Sequence, residues 1–254
     1  MKRAYSIYLM LAAVAVLSFS VPVQASDQDD QIESSAKQSY VFKTFLKDDD
    51  IKIKAKDGAV SLTGTVSEES HKSLAEETVT SLPEVKSVDN KLEVKGERPA
   101  EKSDAWLMTK VKTTLLFHRS VSGIKTEVDV KDGIVTLRGA ADNQAQKDLA
   151  TEYARDVEGV KDVKNEMTVA KTAKETKETR TVGDKIDDAS ITALVKTTLL
   201  YHRSTSGLRT KVTTKNGVVT LSGKAKNAAE KDLASKFAKD VNGVEDVNNL
   251  MTIK

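Results

Sequence analysis

The sequence predicts the α+β fold class, as tandem small αββαβ modules that each pack two helices on a three-stranded mixed sheet. The main observation is an internal repeat: residues 131–169 and 215–253 are two copies of one unit, and residues 56–94 are a fainter third. The copies start 75 and 84 residues apart, which is too long for a solenoid repeat and suits small domains. In each copy, alternating apolar residues flank a turn pair and helical stripes lie on either side, as expected for a hairpin covered by helices.

Before the first module, the chain has the pattern of a secretory signal peptide. Lys2 and Arg3 supply a positive start, residues 7–19 are apolar, and small residues precede a cleavage position after Ala25. The apolar run is shorter than the roughly 20 residues needed to cross a bilayer. We therefore expect residues 1–25 to be a signal peptide that is cleaved. The mature chain is expected to be periplasmic and to contain no transmembrane span. The sequence contains no cysteine, so neither a lipid-modified cysteine nor disulfides are expected.

The charge balance argues against one class of partner. Once Lys2 and Arg3 are removed with the signal peptide, basic and acidic residues are equal in number. A nucleic-acid-binding protein normally has a basic excess, so we expect no nucleic-acid partner. Only the last copy is clearly basic, with 11 basic and 6 acidic residues between positions 188 and 254.

The repeats and the composition between them set the expected domain boundaries. We place module 1, the divergent copy, at residues 33–95, module 2 at 104–169 and module 3 at 188–254. Residues 96–103 and 170–187 are polar, charged and nearly free of apolar residues, so both are interpreted as linkers. Modules 2 and 3 each contain a complete set of elements and are expected to fold alone, and module 1 is expected to be the weakest.

The first element of each module is predicted to be a helix. In module 3, apolar residues stand at every fourth position from Ile191 to Leu199, and either Asp188 or Ser190 can be the N-cap. Asp104 begins the same helix in module 2.

Glycines mark the turns and the close approaches of the remaining elements. Asp-Gly and Asn-Gly pairs predict two-residue type I′ turns between the first and second strands. A glycine after the second strand lets a neighbouring segment approach closely, and a glycine ends the second helix of modules 2 and 3. The turn glycines are Gly58, Gly133 and Gly217, the close-approach glycines are Gly64, Gly139 and Gly223, and the helix-ending glycines are Gly159 and Gly243.

The repeated pattern resembles the BON domain (bacterial OsmY and nodulation). Module 2 contains DAWLMTKVKTTLL, then a hairpin of the form K-[DN]-G-x-V-x-L-x-G, then D-V-x-G-V-x-x-V-x-N after the second helix. The matching positions recur in module 3, except that Lys110 becomes Leu194. Module 1 has a poorly defined first helix, lacks the H-R-S-x-S-G segment and carries Pro83-Glu84 where the pattern has glycine. A signal peptide followed by serial BON domains is similar to the hyperosmotically inducible OsmY family, here with three copies.

The repeated sequence His118-Arg119-Ser120, which recurs at His202, invites a catalytic or metal-binding interpretation. One histidine per module without further ligands at metal spacing does not predict a metal site, and a serine two residues after a histidine is not a catalytic triad. We therefore interpret these segments as helix C-terminal ends, where His and Arg complement the helix dipole. His71 is expected to be solvated. No catalytic residue, cofactor or metal ion is predicted.

Five residues are candidates for contact with a lipid or another partner. Trp106 lies at the edge of its helical stripe and has a serine counterpart in module 3, so it is expected to be partly exposed, either at a membrane interface or covering the hairpin or a linker. Lys226, Lys231, Lys236 and Lys239 could attract anionic headgroups, or could form a solvated face balanced by acidic neighbours.

The resemblance implies a non-enzymatic periplasmic protein of the envelope and osmotic stress response whose BON modules associate with anionic phospholipid surfaces. The alternative is a chaperone-like or scaffold protein that binds other polypeptides of the envelope. Binding to anionic lipid should weaken steeply with salt, whereas apolar binding to a polypeptide should persist.

Overall fold

The computed structural model describes residues 23–96, 99–121, 125–169, 185–206 and 209–254. It contains three copies of one helix–hairpin–helix–strand unit, which confirms the α+β prediction. Module 1 comprises α1 (Val23–Gln38), α2 (Tyr40–Thr44), β1 (Asp50–Lys56), β2 (Ala59–Val66), α3 (Glu69–Thr80) and β3 (Ser87–Val94). Module 2 comprises α4 (Asp104–Phe117), β4 (Lys125–Lys131), β5 (Ile134–Ala141), α5 (Gln144–Arg155), β6 (Asp162–Asn165) and β7 (Thr168–Val169). Module 3 comprises α6 (Asp188–Tyr201), β8 (Arg209–Lys215), β9 (Val218–Ala225), α7 (Ala228–Lys239), β10 (Asp246–Asn249) and β11 (Thr252–Ile253).

The sheet of each module is mixed, with the second hairpin strand in its centre. β1 and β2 are antiparallel, and β3 is parallel to β2. Modules 2 and 3 repeat this order, but their last strand is broken into two short strands around a buried methionine, Met167 or Met251. The side-chain oxygen of Asn165 accepts a hydrogen bond from the Met167 amide at 3.0 Å, and Asn249 does the same for Met251 at 3.0 Å. The asparagine therefore holds the break in place.

The three hairpin turns have type I′ geometry and are each held by one carboxylate. In module 3, Asn216 and Gly217 have φ values of 50° and 75°, both in the left-handed region. The carboxylate of Asp188 accepts hydrogen bonds from both turn amides, at 2.7 Å from Asn216 and 2.9 Å from Gly217. Asp104 in module 2 and Asp29 in module 1 bind their turns in the same way. The hairpin is thereby tied to the first turn of α4 in module 2 and of α6 in module 3, and to the interior of α1 in module 1.

The glycine after the second strand stands where two backbones come very close. A Cβ atom on Gly64 would collide with the carbonyl oxygen of Asp50, and one on Gly223 would collide with that of Arg209. The approaching segment is thus the adjacent hairpin strand, and only glycine allows it. Gly139, with a φ of 127°, occupies the same position in module 2.

The helix starts differ from the expected N-caps. Asp187 caps α6, because its side chain accepts from the Ser190 amide at 2.8 Å; neither Asp188 nor Ser190 has that role. Asp187 therefore belongs to the packed module, although the sequence placed it at the end of a linker. Within the rest of that linker, residues 170–184 lie outside the described residues.

The first helix of module 1 begins well before the expected module boundary at residue 33. α1 starts at Val23, and the chain then breaks at Ser39, whose side chain caps α2 through the Phe42 amide. The segment that was poorly defined in the sequence is thus two helices in place of one. The turn-binding Asp29 lies inside α1, so the module needs residues before position 33.

Helix α6 is the central element of the whole chain. Residues on all sides of it are buried, including Ala193 and Leu194, both 0% exposed. One side packs against α3 of module 1 and another against α4 of module 2. Its start also accepts hydrogen bonds from module 1, because the amide of Val41 donates to the Ser190 hydroxyl at 3.0 Å. The modules therefore pack together as one body, and the expectation that modules 2 and 3 fold alone stays a prediction.

The turn geometry predicts that Gly217→Val destabilises the protein by more than about 1 kcal/mol, because a β-branched residue is strained at a positive φ. The free energy of unfolding should be measured by urea titration. Asn216→Asp is the matched control, since modules 1 and 2 carry aspartate there. An unchanged midpoint for Gly217→Val would contradict the importance of the turn.

Because α6 is buried, we predict that two equivalent positions, 194 and 110, tolerate substitution to different degrees. Leu194→Lys, which introduces the residue of module 2, should cost about 3 kcal/mol or more, because an ammonium group loses its hydration there. Lys110→Leu, the reverse change at a half-exposed position, should alter stability by less than about 1 kcal/mol. Equal losses for the two variants in thermal and urea unfolding would show that α6 is not the central element.

Candidate functional site at the junction of modules 2 and 3

Modules 2 and 3 meet through two short segments that each leaves its own module. We call residues 118–120 and 202–204, both with the sequence His-Arg-Ser, the exchanged segments. The backbone turns from helical to extended at the first residue of each, with φ and ψ of −81° and 115° at His118 and −76° and 122° at His202. The chain is therefore directed away from its own helix and into the neighbouring module.

Each exchanged segment pairs with the backbone just after the second helix of the other module. Both histidines form isolated antiparallel bridges there. The Arg119 amide donates to the carbonyl of Asp240 at 2.8 Å, and the Arg203 amide donates to that of Asp156 at 2.6 Å. The contacts are reciprocal, so the junction has an approximate twofold arrangement.

Two buried histidines meet at its centre. The Nε2 atoms of His118 and His202 lie 2.8 Å apart, and both side chains are 0% exposed. The outer ring nitrogen of each faces a carboxylate of the opposite module: His118 Nδ1 lies 3.2 Å from Asp240 and His202 Nδ1 lies 3.0 Å from Asp156. The result is a linear array of carboxylate, imidazole, imidazole and carboxylate, which we call the histidine pair with its two aspartates.

Aromatic rings and hydroxyl groups enclose this array. Tyr153 stacks on His118 and Phe237 on His202, each with ring centroids 3.9 Å apart. The Tyr153 hydroxyl also donates to Asp240 at 2.7 Å. The serine of each exchanged segment, Ser120 or Ser204, hydrogen-bonds the same aspartate as its neighbouring histidine. The rings exclude water and the hydroxyl groups satisfy the carboxylates.

Burial and hydrogen bonding shift the pKa values of this array in defined directions. Removal from solvent lowers the pKa of His118 below its ordinary 6.5, and the nearby charge of His202 acts in the same direction against the opposing effect of Asp240. Burial alone would raise the pKa of Asp240, but hydrogen bonds from the surrounding imidazole and hydroxyl groups outweigh it and hold that pKa below its usual value. The pKa of Asp156 is lowered for the same reason. Both aspartates are therefore charged near neutral pH.

The exchanged segments do begin at helix C-termini, as the sequence indicated, but their side chains act across the junction. His71 also differs from expectation: its Nδ1 lies 2.6 Å from the carboxylate of Asp49, so it is paired and not simply solvated. Within the described part of the chain, no group of three or more His, Cys, Asp or Glu side chains is arranged to hold a metal ion.

Trp106 is half-buried at the boundary of modules 1 and 2. It lines a cleft with the segment before α4, including Pro99 and Ala100, and the ammonium group of Lys110 lies 3.9 Å from its ring centroid. The same ammonium lies 5.1 Å from the ring centroid of Tyr201 in α6. Trp106 thus shares a cleft with the segment before α4, and its contact with a membrane stays a prediction.

The four lysines singled out in module 3 are spread over different surroundings. Lys226 lies 3.5 Å from Glu230, and Lys239 lies 2.9 Å from Asp246. Lys236 lines a cleft between α5 and α7, beside Tyr153 and Phe237, and Lys231 is half-buried. Two of the four thus have a carboxylate partner, and contact of the four with anionic headgroups stays a prediction.

Another cationic surface lies on the outward side of the sheet of module 3. Strands alternate between buried and exposed residues, and the exposed residues face away from the helices. We call this surface the basic sheet face; its signal in the sequence is the presence of basic residues at alternating positions of the first strand. Its members are Arg209, Lys211 and Lys215 of β8, Val218 and Lys224 of β9, and Leu250 between β10 and β11.

The equivalent face of module 2 has a different composition. Glu127 and Glu166 stand at the positions of Lys211 and Leu250, 84 residues earlier, and are exposed. Glu166 lies 2.9 Å from Arg138, so part of its charge is compensated locally. The basic sheet face therefore distinguishes module 3 from module 2, and its apolar residue Leu250 is 58% exposed.

No helix among the described residues is long and apolar enough to cross a membrane.

Comparison with known proteins shows what this chain is similar to. The model of the BON domain family matches residues 28–96, 103–171 and 187–254. Osmotically-inducible protein Y of Escherichia coli (strain K12) is 34% identical over 151 residues, which are 59% of this chain and 73% of that protein. The 21 kDa hemolysin of Actinobacillus pleuropneumoniae is 34% identical over 116 residues, 46% of this chain and 56% of that one. A structural protein of the type III secretion system of Chlamydia trachomatis, CdsD, aligns with a TM-score of 0.23 and 18% identity, covering 90% of this chain and 92% of that one.

The matches cover all three αββαβ modules, and their limits include the residues before position 33 that hold the first hairpin turn. The chain thus belongs to the BON domain family, with three BON domains and an Escherichia coli homologue in osmotically-inducible protein Y.

Proposed function

We propose that this chain is a non-enzymatic periplasmic protein of the envelope and osmotic stress response that associates with anionic phospholipid surfaces through module 3. The observation that carries the proposal is the basic sheet face, an exposed cationic surface with an apolar residue at its edge. The periplasmic location rests on the signal-peptide pattern with cleavage after Ala25 and on the osmotically inducible homologue.

The charge of the basic sheet face suits an anionic membrane. Each lysine or arginine near an anionic surface contributes about 1 kcal/mol, and four of them lie on this face. Asp246 lies on the same face, but it is paired with Lys239 at 2.9 Å and subtracts little from the basic surface. The exposed side chain of Leu250 adds apolar area that can enter the interface between headgroups and acyl chains.

Module 2 supplies an internal comparison, because the same strands carry acidic residues there. Glu127 and Glu166 occupy the positions of Lys211 and Leu250, so the fold tolerates glutamate at both sites. Introducing these residues into module 3 removes the basic and apolar character with little expected effect on stability.

Liposome flotation of the full chain tests the contact. The double variant Lys211→Glu, Leu250→Glu should lower binding to vesicles that contain phosphatidylglycerol by roughly thirtyfold at low salt, because the charge reversal alone removes about 2 kcal/mol. Binding of the unmodified protein should fall steeply with salt and be absent on phosphatidylcholine vesicles. Lys164→Glu, at an exposed strand position of module 2, is the matched control and should bind normally.

If the membrane contact instead involves the lysines near α7 or Trp106 on α4, other measurements should change. If Lys226→Glu, Lys231→Glu weakens flotation more than the strand variant does, the contact lies on α7. A blue shift of Trp106 fluorescence that depends on anionic vesicles would instead place the contact at α4. If no protein floats at low salt with either lipid, the membrane proposal fails, and suppression of aggregation of an unfolded polypeptide then tests the chaperone-like alternative.

A further inference from the structure

The histidine pair can be occupied by hydrogen atoms in only one favourable way. A separation of 2.8 Å between two Nε2 atoms is that of an N–H···N hydrogen bond, so one atom donates and the other accepts. His202 Nδ1 makes a hydrogen bond to Asp156 at 3.0 Å, whereas His118 Nδ1 lies 3.2 Å from Asp240 outside hydrogen-bond geometry. Because an ionised carboxylate can only accept, both positions favour a hydrogen on Nδ1 over a lone pair. The four ring nitrogens together therefore hold three hydrogens, which makes one ring a cation and the other neutral.

Any other hydrogen count places like groups in contact. With two hydrogens, either two lone pairs meet between the rings or one lone pair meets a carboxylate. With four hydrogens, two N–H groups point at each other and two cations lie with ring centroids 5.0 Å apart. The closed junction thus requires a single extra proton on the pair.

We propose that the histidine pair is a proton-sensitive latch between modules 2 and 3, closed with one shared proton and opened by the uptake of a second. We assign His118 as the ring that accepts the hydrogen bond in the closed state, because burial lowers its pKa. The second proton therefore binds to His118. The inference stands apart from membrane association, because it concerns contacts inside the chain.

The groups around the pair define the charge that the second proton meets. Asp240 and Asp156 face the outer nitrogens from the ends of α7 and α5, and Tyr153 stacks on the accepting ring. The guanidinium group of Arg119 lies 3.7 Å from Asp240 and offsets part of that carboxylate's attraction for a proton on His118. Arg203 donates from its guanidinium to the carbonyl of Arg155 at 3.2 Å, on the side of His202. The cleft above the rings also carries Glu152 and Lys236.

The sign of the pH dependence follows from the lowered pKa of His118 in the closed state. In the open state that ring returns to its ordinary pKa of 6.5, so opening takes up a proton as the pH falls below this value. The closed arrangement is therefore strongest near pH 6.5. Above this value the open pair holds no extra proton, so closing must take one up and the closed fraction falls there as well. Below it, the ratio of closed to open molecules should fall about tenfold for each pH unit until His118 is protonated in the closed state as well.

Amide hydrogen exchange of the full chain measures this ratio even when the open state is rare. The reporters are the amides of Arg119 and Arg203, because each donates across the junction. Their protection factors, corrected for the intrinsic pH dependence of exchange, should fall about tenfold per pH unit from about pH 6.5 towards pH 5. The amide of Leu221, in the central strand β9, should stay protected over the same range.

A pair of variants assigns the effect. His118→Gln with His202→Gln should remove the pH dependence of the Arg119 and Arg203 protection factors. His71→Gln, which alters the remaining histidine near Asp49, should leave it unchanged. A constant protection factor in the unmodified chain, or an unchanged pH dependence in the double variant, would overturn the latch.

If the double variant leaves the junction unprotected at every pH, nitrogen chemical shifts of the imidazoles in the unmodified chain decide the matter. One cationic and one neutral ring near pH 6.5, where the closed arrangement is strongest, supports the latch. Two neutral rings or two cationic rings would refute it.

Discussion

The reciprocal exchange of two short His-Arg-Ser segments between modules 2 and 3 is the contact on which the arrangement of this chain depends. Each segment leaves its own first helix in an extended conformation and pairs with the backbone after the second helix of the other module. The two histidines that lead the segments then meet at 2.8 Å in a site closed to solvent. Buried polar groups are costly unless every one of them has a partner, so this site specifies one relative orientation of the two modules.

In this arrangement, α6 of module 3 packs against both module 1 and module 2. A helix covered on several sides needs apolar residues around most of its circumference, and this accounts for Leu194 where module 2 has Lys110. Ser190 replaces the indole of Trp106 for a related reason, because its hydroxyl receives the Val41 amide of module 1. The differences between copies therefore follow from the position of each module in the assembly and not from a different fold.

The residues on the outward faces of the sheets differ between copies because packing constrains them less than it constrains buried residues. Exposed strand positions carry no packing requirement, so module 3 can hold basic residues where module 2 holds acidic ones. Module 1 also lacks the residues of the junction: Lys43 and Ser81 stand 75 residues before His118 and Asp156. The three domains thus share a scaffold, while the junction belongs to modules 2 and 3 and the outward sheet faces of those two modules differ in charge.

The sequence by itself determined the module. Turn pairs with positive φ, a glycine at the close approach of two strands and helical stripes are local requirements, and each can be recognised from a few neighbouring residues. The membership of His118 and Asp240 in one site could not be recognised in this way, because they lie on different modules and meet only after both have folded. A signal was present, since a histidine after the first helix and an aspartate after the second recur together in modules 2 and 3. Only the tertiary structure decided that these repeats face each other, because contact between modules depends on shape and burial over the whole surface and not on spacing along the chain.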